Sequence, residues 1–468
     1  MKVLMVFGSH VSYEVFQDSD FLEKLNLFKK DISFAIAVRE NHKTMTPQRV
    51  HLGKNEVLAH KFESDPQQEK HFYKLLDFNM ARNRKRSEAF RHRLNRRMLG
   101  KFRMKSMGSR RYLSYITQQL RRKDNVLLLM AFIPAVSNVV FSILKRRYPF
   151  PVEFFRLCEK LEPDLIILMT NGAEPCIYEV PLVAQKLKLP WHLIVDNWDN
   201  LSSKSVFWEN PDHIYVWGSQ HEDFAKSIHG IESGKVTKIG TPRITFPGNS
   251  PSLTSAKRPM VIYVGQQEPY DELSDLSYLA DFCSIQKLEL VFRPHPLRRF
   301  TNKNKRKLIE MIEKGNLILN ISENFTLMQD QWPSNLKLWN SISKLNKEEL
   351  LSCNPTCVIG PPTSLILESL IYRNPTVIIA RDDKKHRTTA SMYWNSYPHF
   401  RVFKGIHSMK VARSHHEMEL KVKECISGEV SFIGINDAIE YICGEGSENW
   451  SRNLITHLLV LSKSQHKG

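Results

Sequence analysis

Three stretches of the chain bring together side chains able to handle negative charge and protons. In "RPHP", Arg293–Pro296, His295 lies between two prolines that stiffen its backbone. An imidazole held there can donate to a phosphate or accept a proton near neutral pH. In "CVIGPPTSLILESLIYRNPTVIIA", Cys357–Ala380, Gly360-Pro361-Pro362 stops an apolar run and Thr363-Ser364 opens a helix. Its apolar residues Ile366, Leu367, Leu370 and Ile371 fall on one face. Two hydroxyls thus stand at a helix N-terminus just past a strand, where free N–H groups and the helix dipole favour an anion. Ser364 has a second reading, as a plain helix cap. Glu368 follows Ser364 by four residues and does not fit the three-residue spacing of a capping box. The third stretch, "DNWDNLSSK", Asp196–Lys204, follows a strand and carries Asp196, Asp199, Ser203 and Lys204.

The elements that must position these groups alternate in type. Val3–Phe7 reads as a strand running into Gly8-Ser9-His10, and Asp31–Val38 as a second. Asn41–Lys70 is polar with weak helix signals. Asp164–Met169 is a buried parallel-type strand ending in "TNGAEPC", which holds Glu174. Val180–Leu187 is the crossover helix to the strand Trp191–Val195, a right-handed βαβ unit. His213–Trp217 and Lys235–Ile239 continue the strands, with a helix at Gln220–His229. The Pro/Ser/Gly-rich run Phe246–Arg258 is the best domain boundary. Pro259–Val264 then restarts a strand, ending at Gly265. Leu288–Phe292 leads into Arg293, Leu317–Ile321 follows, and a short helix at Lys347–Ser352 leads into Cys357–Ala380. The pattern implies an α/β protein with two Rossmann-like domains facing a cleft, each with polar loops at the carboxyl ends of its strands. The domains read as 1–245, a linker 246–258 and 259–440, with a C-terminal helix in 441–468 packing back on the first.

Composition adds one localised signal. The chain has 468 residues, 42% apolar and 25% charged, which is globular. Seven scattered cysteines argue for a reducing compartment, and no Cys/His spacing suggests zinc, so neither metal nor cofactor is expected. Net charge is +18, and residues 81–147 hold 19 Lys/Arg against Glu88 and Asp124, a net of +17. One segment therefore carries nearly the whole excess, which points to a local anionic partner. Its first part, 81–123, reads as a long basic helix broken near Gly108. Val126–Leu144 is nineteen residues without a charge, interrupted by Pro134, Ser137 and Asn138. Three readings stand for it: a buried or groove-lining helix, an interfacial helix and a bilayer span. The readings of 81–147 are contact with anionic lipid, a groove for an anionic substrate, or a solvated basic face. Nucleic acid is disfavoured because no recognisable nucleic-acid motif is present.

His295-Pro296 and Thr363-Ser364, in that order in one Rossmann-like domain, resemble the paired motifs of GT-B bacterial glycosyltransferases. The likeness is to the branch of sialyltransferases, capsule Kdo-transferases and CDP-glycerol glycerophosphotransferases. The run "NWDNLSSK…HGI…G" to "TPR" also resembles a pattern of bacterial surface-carbohydrate proteins, departing from it at Ser205, where a Gly often stands. The resemblance covers roughly 160–243 and 259–380. It implies that His295, Thr363, Ser364 and Gly265 hold the phosphates of a nucleotide-activated sugar donor and that His295 stabilises the leaving group. Arg293 either adds positive charge there or ties up its own loop. Glu368 either reaches a ribose hydroxyl or is solvated. A transfer of this kind needs a general base. Asp199 is the first candidate, followed by Asp196, Glu174 and His10; Asp199 alternatively holds its own turn. Ser203 and Lys204 contact acceptor or phosphate, or cap. The implied function is a metal-independent transferase of surface-polysaccharide synthesis. It would be cytoplasmic, peripheral on the inner face of the plasma membrane, and act on a glycan or lipid-linked acceptor. The rivals are a polyol-phosphate transferase or a nucleotide-sugar 2-epimerase on the same fold, and a non-catalytic polyanion- or membrane-binding protein.

Overall fold

The computed structural model describes residues 1–465 except 18–20, 22–23, 25–31, 41–49, 53–54, 58, 64–65, 101–102, 104–108, 121–122, 205, 248–257, 268–269, 296–297, 322–341 and 343–344. The chain divides into two compact units: residues 1–98, 120–244 and 440–468, and residues 99–119 and 245–439. The sequence reading kept all of 81–147 with the first half, but residues 99–119 go with unit 2. There Arg103 N–H donates to Lys385 O (3.0 Å), Arg103 pairs with Asp382 (2.8 Å), and Arg387 Nε donates to Gly100 O (3.2 Å).

Unit 1 is built on β1 (Lys2–Phe7), β2 (Ser33–Glu40), a small antiparallel hairpin of β3 (Val50–Leu52) and β4 (Asn55–Val57), and β5 (Ala59–Glu63). After a helical stretch come β6 (Leu165–Thr170), β7 (Trp191–Val195), β8 (His213–Val216) and β9 (Val236–Lys238). The main sheet has the order β5-β2-β1-β6-β7-β8-β9 and is parallel throughout. Its central strands β1 and β6 read as unbroken apolar runs because both faces are covered. Leu4, Val6, Ile166 and Leu168 enter one core with the helix Cys176–Leu187. Val3, Met5, Phe7, Ile167 and Met169 enter the other, closed by Trp450, Leu454, Ile455 and Leu458 of the C-terminal helix Trp450–Gln465. Strand β5 lies in the polar stretch 41–70, where alternation over five residues is too short a signal to stand out.

Unit 2 is built on β10 (Arg258–Val264), β11 (Glu289–Arg293), β12 (Ile318–Leu319), β13 (Pro355–Gly360), β14 (Thr376–Ile379) and β15 (Lys410–Ala412). The order is β12-β11-β10-β13-β14-β15, again parallel throughout. In each sheet the chain runs outward one way and then returns to run outward the other way. The reversals fall between β1 and β6 and between β10 and β13, and the crevice at the carboxyl ends of such a strand pair is where ligands bind in open α/β sheets.

The basic region is not one long helix. It is broken at 83–87 and again at Gly100, giving Pro66–Arg82, Glu88–Leu99 and Ser109–Leu120. The charge-free run beyond it is two helices, Lys123–Met130 and Pro134–Arg146, parted at Ala131-Phe132-Ile133. Pro134 sits in the first turn of the second helix, the one helical position that tolerates it without loss. Of the three readings, a fully buried helix does not hold: Val139 of the second helix is 60% exposed. Among the described residues no helix is long and apolar enough to cross a membrane.

Candidate functional site

The unit 2 reversal gathers three loops by packing so close that a glycine is required at 360 and a side chain at 265 would be tight. A Cβ on Gly360 would lie 2.4 Å from Val264 O, so β13 and β10 approach this closely only because residue 360 is Gly. A Cβ on Gly265 would lie 3.1 Å from His295 N and 3.2 Å from both Pro294 Cα and Glu272 Oε1. Gly265 N–H also donates to Arg293 O (2.9 Å). The ends of β11, β10 and β13 therefore carry His295, Gly265 and Thr363-Ser364 on adjacent strands, as neighbours along one sheet edge. His295 is half-buried, and Pro296 lies outside the described residues.

The helix Ser364–Ile371 starts there, with Thr363 as its N-cap in extended conformation (φ −140°, ψ 167°). Neither hydroxyl closes the helix end: the cap position makes no side-chain bond to the helix backbone. Thr363 Oγ1 is buried and has no hydrogen-bond partner among the described residues. A buried hydroxyl without a partner costs about 1–3 kcal/mol, so it marks a place where a bound group would complete the bonding. The cap position falls on Thr363, so the reading of Ser364 as the helix cap does not hold.

Other expected contributors are engaged elsewhere. Arg293 is buried and its Nη1 donates to Asn320 Oδ1; Asn320 Nδ2 in turn donates to Ile342 O (2.8 Å) and Leu345 O (3.0 Å). Through Asn320, Arg293 is tied to the carbonyls of Ile342 and Leu345. Glu368 is not solvated: it is buried, and its Oε2 accepts Lys347 Nζ at 2.7 Å.

The same edge holds a carboxyl that sequence reasoning passed over. Glu272 opens the helix Glu272–Ile285 and is 2% exposed; its Oε1 accepts Gln266 N–H at 2.7 Å. Burial pushes its pKa up to about 7, against the pull of Arg298, whose Nε is 3.6 Å from Oε2. Gln266 is also buried, with its Nε2 unpartnered among the described residues. In "GQQEPYDELSD" an acid at a helix start reads as a dipole partner, so nothing in the letters distinguished Glu272. Further along the edge, beyond β14, Asp383 Oδ2 lies 2.6 Å from His386 Nδ1. Burial would raise the Asp383 carboxyl, but bonds from His386 and the 385–386 backbone hold it at about 2.

The unit 1 reversal is organised around Glu174. Thr170 Oγ1 donates to its Oε2, and Asn171 Nδ2 donates to its Oε1 at 2.8 Å. A Cβ on Gly8 would lie 2.2 Å from Oε2, so the end of β1 must be glycine for the carboxyl to sit there. Burial raises the Glu174 pKa, the Thr170 bond opposes that, and the nearby Asp196 charge adds to the rise. Asp196 is itself buried and paired with Arg243 Nη1 at 3.3 Å. His10 opens the helix His10–Gln17, and its side chain lies outside the described residues.

Asp199, Ser203 and Lys204 form one local knot. Asp199 Oδ2 accepts Ser203 Oγ (3.1 Å) and pairs with Lys204 Nζ (3.3 Å), and its carbonyl accepts Ser202 and Ser203 N–H groups. The Asp therefore caps the turn Asn200–Lys204, as Asp residues commonly do. Ser205 lies outside the described residues.

Two Rossmann-like units in one chain are the composition of the GT-B fold. No family model matches the chain, and no curated protein matches it. Among solved structures it is similar to the UDP-GlcNAc 2-epimerase of Methanocaldococcus jannaschii, at 11% identity and TM-score 0.46 over 98% of this chain and 100% of that one. It is similar to the lipopolysaccharide outer core galactosyltransferase WaaB, at 11% identity and TM-score 0.46 over 99% and 100%. It is likewise similar to a ugt transferase from Siraitia grosvenorii in complex with UDP, at 10% identity and TM-score 0.46 over 98% and 100%. The fold rests on the strand orders above and not on these likenesses.

Proposed function

We propose that the chain is a glycosyltransferase that moves a sugar from a nucleotide-activated donor to a glycan or lipid-linked acceptor. In this reading it serves cell-surface polysaccharide synthesis from the cytoplasmic side of the membrane, in the sialyltransferase, Kdo-transferase and glycerophosphotransferase branch. The observation that carries the reading is the buried, unpartnered Thr363 Oγ1 at a helix N-terminus on the reversal of the unit 2 sheet.

The donor's phosphates would take the Thr363 and Ser364 hydroxyls and the first free N–H groups of the helix. Gly265 leaves room for backbone to approach. As the bond from the anomeric carbon to the phosphate oxygen breaks, negative charge grows on the leaving nucleotide. Fixed dipoles and the His295 ring would stabilise that charge without reorganising. The acceptor hydroxyl loses its proton as it attacks. We assign that proton to Glu174 rather than to Asp199. Burial raises the Glu174 pKa above the ordinary carboxylate value and its hydrogen-bond partners Thr170 and Asn171 are neutral, whereas the Asp199 carboxylate is ion-paired with Lys204.

Product analysis tests the reading. Full-length protein is incubated with CMP- and UDP-sugars, or with CDP-glycerol, and a lipid extract as acceptor. Transfer of a sugar supports it. Transfer of glycerol phosphate, or an epimerised nucleotide sugar without transfer, replaces it with one of the rival enzymes.

A further inference from the structure

We infer that the helix pair Lys123–Met130 and Pro134–Arg146 seats unit 1 on a bilayer of anionic phospholipid. The inference deepens the membrane-surface part of the proposed function, but it stands on the surface of unit 1 alone. Both helices pack on Pro66–Arg82. The second helix turns Ser137, Phe141 and Leu144 inward, at the i, i+4, i+7 spacing of one face. A helix packed on one face ordinarily shows polar residues on the other. Here the outer face shows Val136, Val139 and Ile143, and the turn between the helices adds Phe132 and Ile133; all five are exposed. Leu129, also exposed, continues the patch onto the first helix.

Cations frame the patch. The Arg84 guanidinium lies 4.1 Å from the Phe132 ring centre and that of Arg82 lies 4.1 Å from Phe141. Arg146 and Arg147 are exposed at the far end of the second helix. Apolar side chains beside arginines, in unit 1 stretches 81–98 and 120–147 that hold 14 Lys/Arg against two acids, a net of +12, match the acyl boundary and the phosphate layer of an anionic leaflet. The charge also argues against a second copy of the chain as occupant, since two such faces repel. Neither helix is long enough to span, so the pair would lie in the interface plane.

The test is sedimentation of the full chain with vesicles of phosphatidylcholine alone and with about 30% phosphatidylglycerol, the anionic fraction supplying the surface potential. The wild type is expected to sediment with the anionic vesicles only. Ile133→Glu with Val139→Glu, and separately Arg146→Glu with Arg147→Glu, are each expected to weaken binding at least about tenfold, the insertion and charge terms being comparable. These residues are exposed, so circular dichroism should stay unchanged. As a gain-of-signal control, Ile133→Trp should shift its emission to the blue on adding anionic vesicles and not neutral ones. No sedimentation of wild type and no blue shift overturns the proposal. So does a dimer in solution that the Ile133→Glu, Val139→Glu variant dissociates, because then a second copy covers the face. UDP and CMP binding measured on the same variants is expected to be unchanged, so failure of the lipid surface and failure of the nucleotide site are read separately.

Discussion

Glu272→Gln gives the sharpest test of the physical state of the unit 2 sheet edge. In the fold, Glu272 keeps its proton up to about pH 7, whereas the ordinary value is 4.5. Below pH 4.5 both folded and unfolded chains are protonated at this position, and its contribution to stability is constant and fully present. Between 4.5 and about 7 the unfolded chain sheds the proton and the folded chain does not, so stability falls as pH rises. The loss is complete once pH passes the folded value. The separation corresponds to about 3 kcal/mol, each pH unit being worth about 1.4 kcal/mol. The group is 2% exposed, so solvent screening takes little from that figure. The substituted amide would keep the acceptor for Gln266 N–H but could not ionise. The assay is urea unfolding of full-length wild type and variant at half-unit steps between pH 4.5 and 8. Subtracting one curve from the other removes every other titrating group. The variant should gain on the wild type as pH rises, by about 3 kcal/mol over the range. A flat difference would refute the reasoning, because it would mean the carboxyl ionises as readily folded as unfolded.

Two further outcomes follow from unit 1. Gly8→Ala forces the Glu174 carboxyl away from Thr170 and Asn171 and should cost about 1–3 kcal/mol in urea unfolding. In a Glu174→Ala background the same change should cost under about 0.5 kcal/mol, since the obstructed group is gone; additive costs would contradict the packing. His192, His213 and His457 cluster around Tyr215, whose hydroxyl is 3.1 Å from His192 Nδ1 and from His457 Nδ1. Burial lowers all three, His192 to about 3 and His213 to about 4. Stability is therefore present above about pH 6.5 and lost as pH falls toward 4 while the unfolded chain takes up the protons. Hydrogen exchange of Trp450–Gln465 should accelerate over that window relative to its intrinsic rate, and less so in His192→Asn.

The strands and the loops carrying His295 and Thr363-Ser364 were legible because their signals are local. An unbroken β-branched run, a Gly-Pro-Pro stop and a Thr-Ser helix start need no distant partner to be read. Asp199 stands out in the sequence as the leading base, yet what engages its carboxylate, Ser203 and Lys204, is a matter of turn geometry. Glu174 ranks behind Asp199 and Asp196 in the sequence, and Glu272 looks ordinary there. Their raised pKa values come from burial under strands and helices far away in sequence, which no window reports. The charge-free run 126–144 misled for a related reason. Apolar content suggests burial, yet half of this face is left outside, and only packing on Pro66–Arg82 shows which half.

The most direct measurement is calorimetric titration of UDP, CDP and CMP into wild type, His295→Ala and Thr363→Val. The valine side chain keeps the shape of Thr363 and removes only the hydroxyl. The account predicts that at least one nucleotide binds the wild type and that each substitution weakens it about tenfold or more, the worth of one charge-assisted hydrogen bond. A nucleotide that binds all three proteins equally would place the phosphate elsewhere and contradict the account.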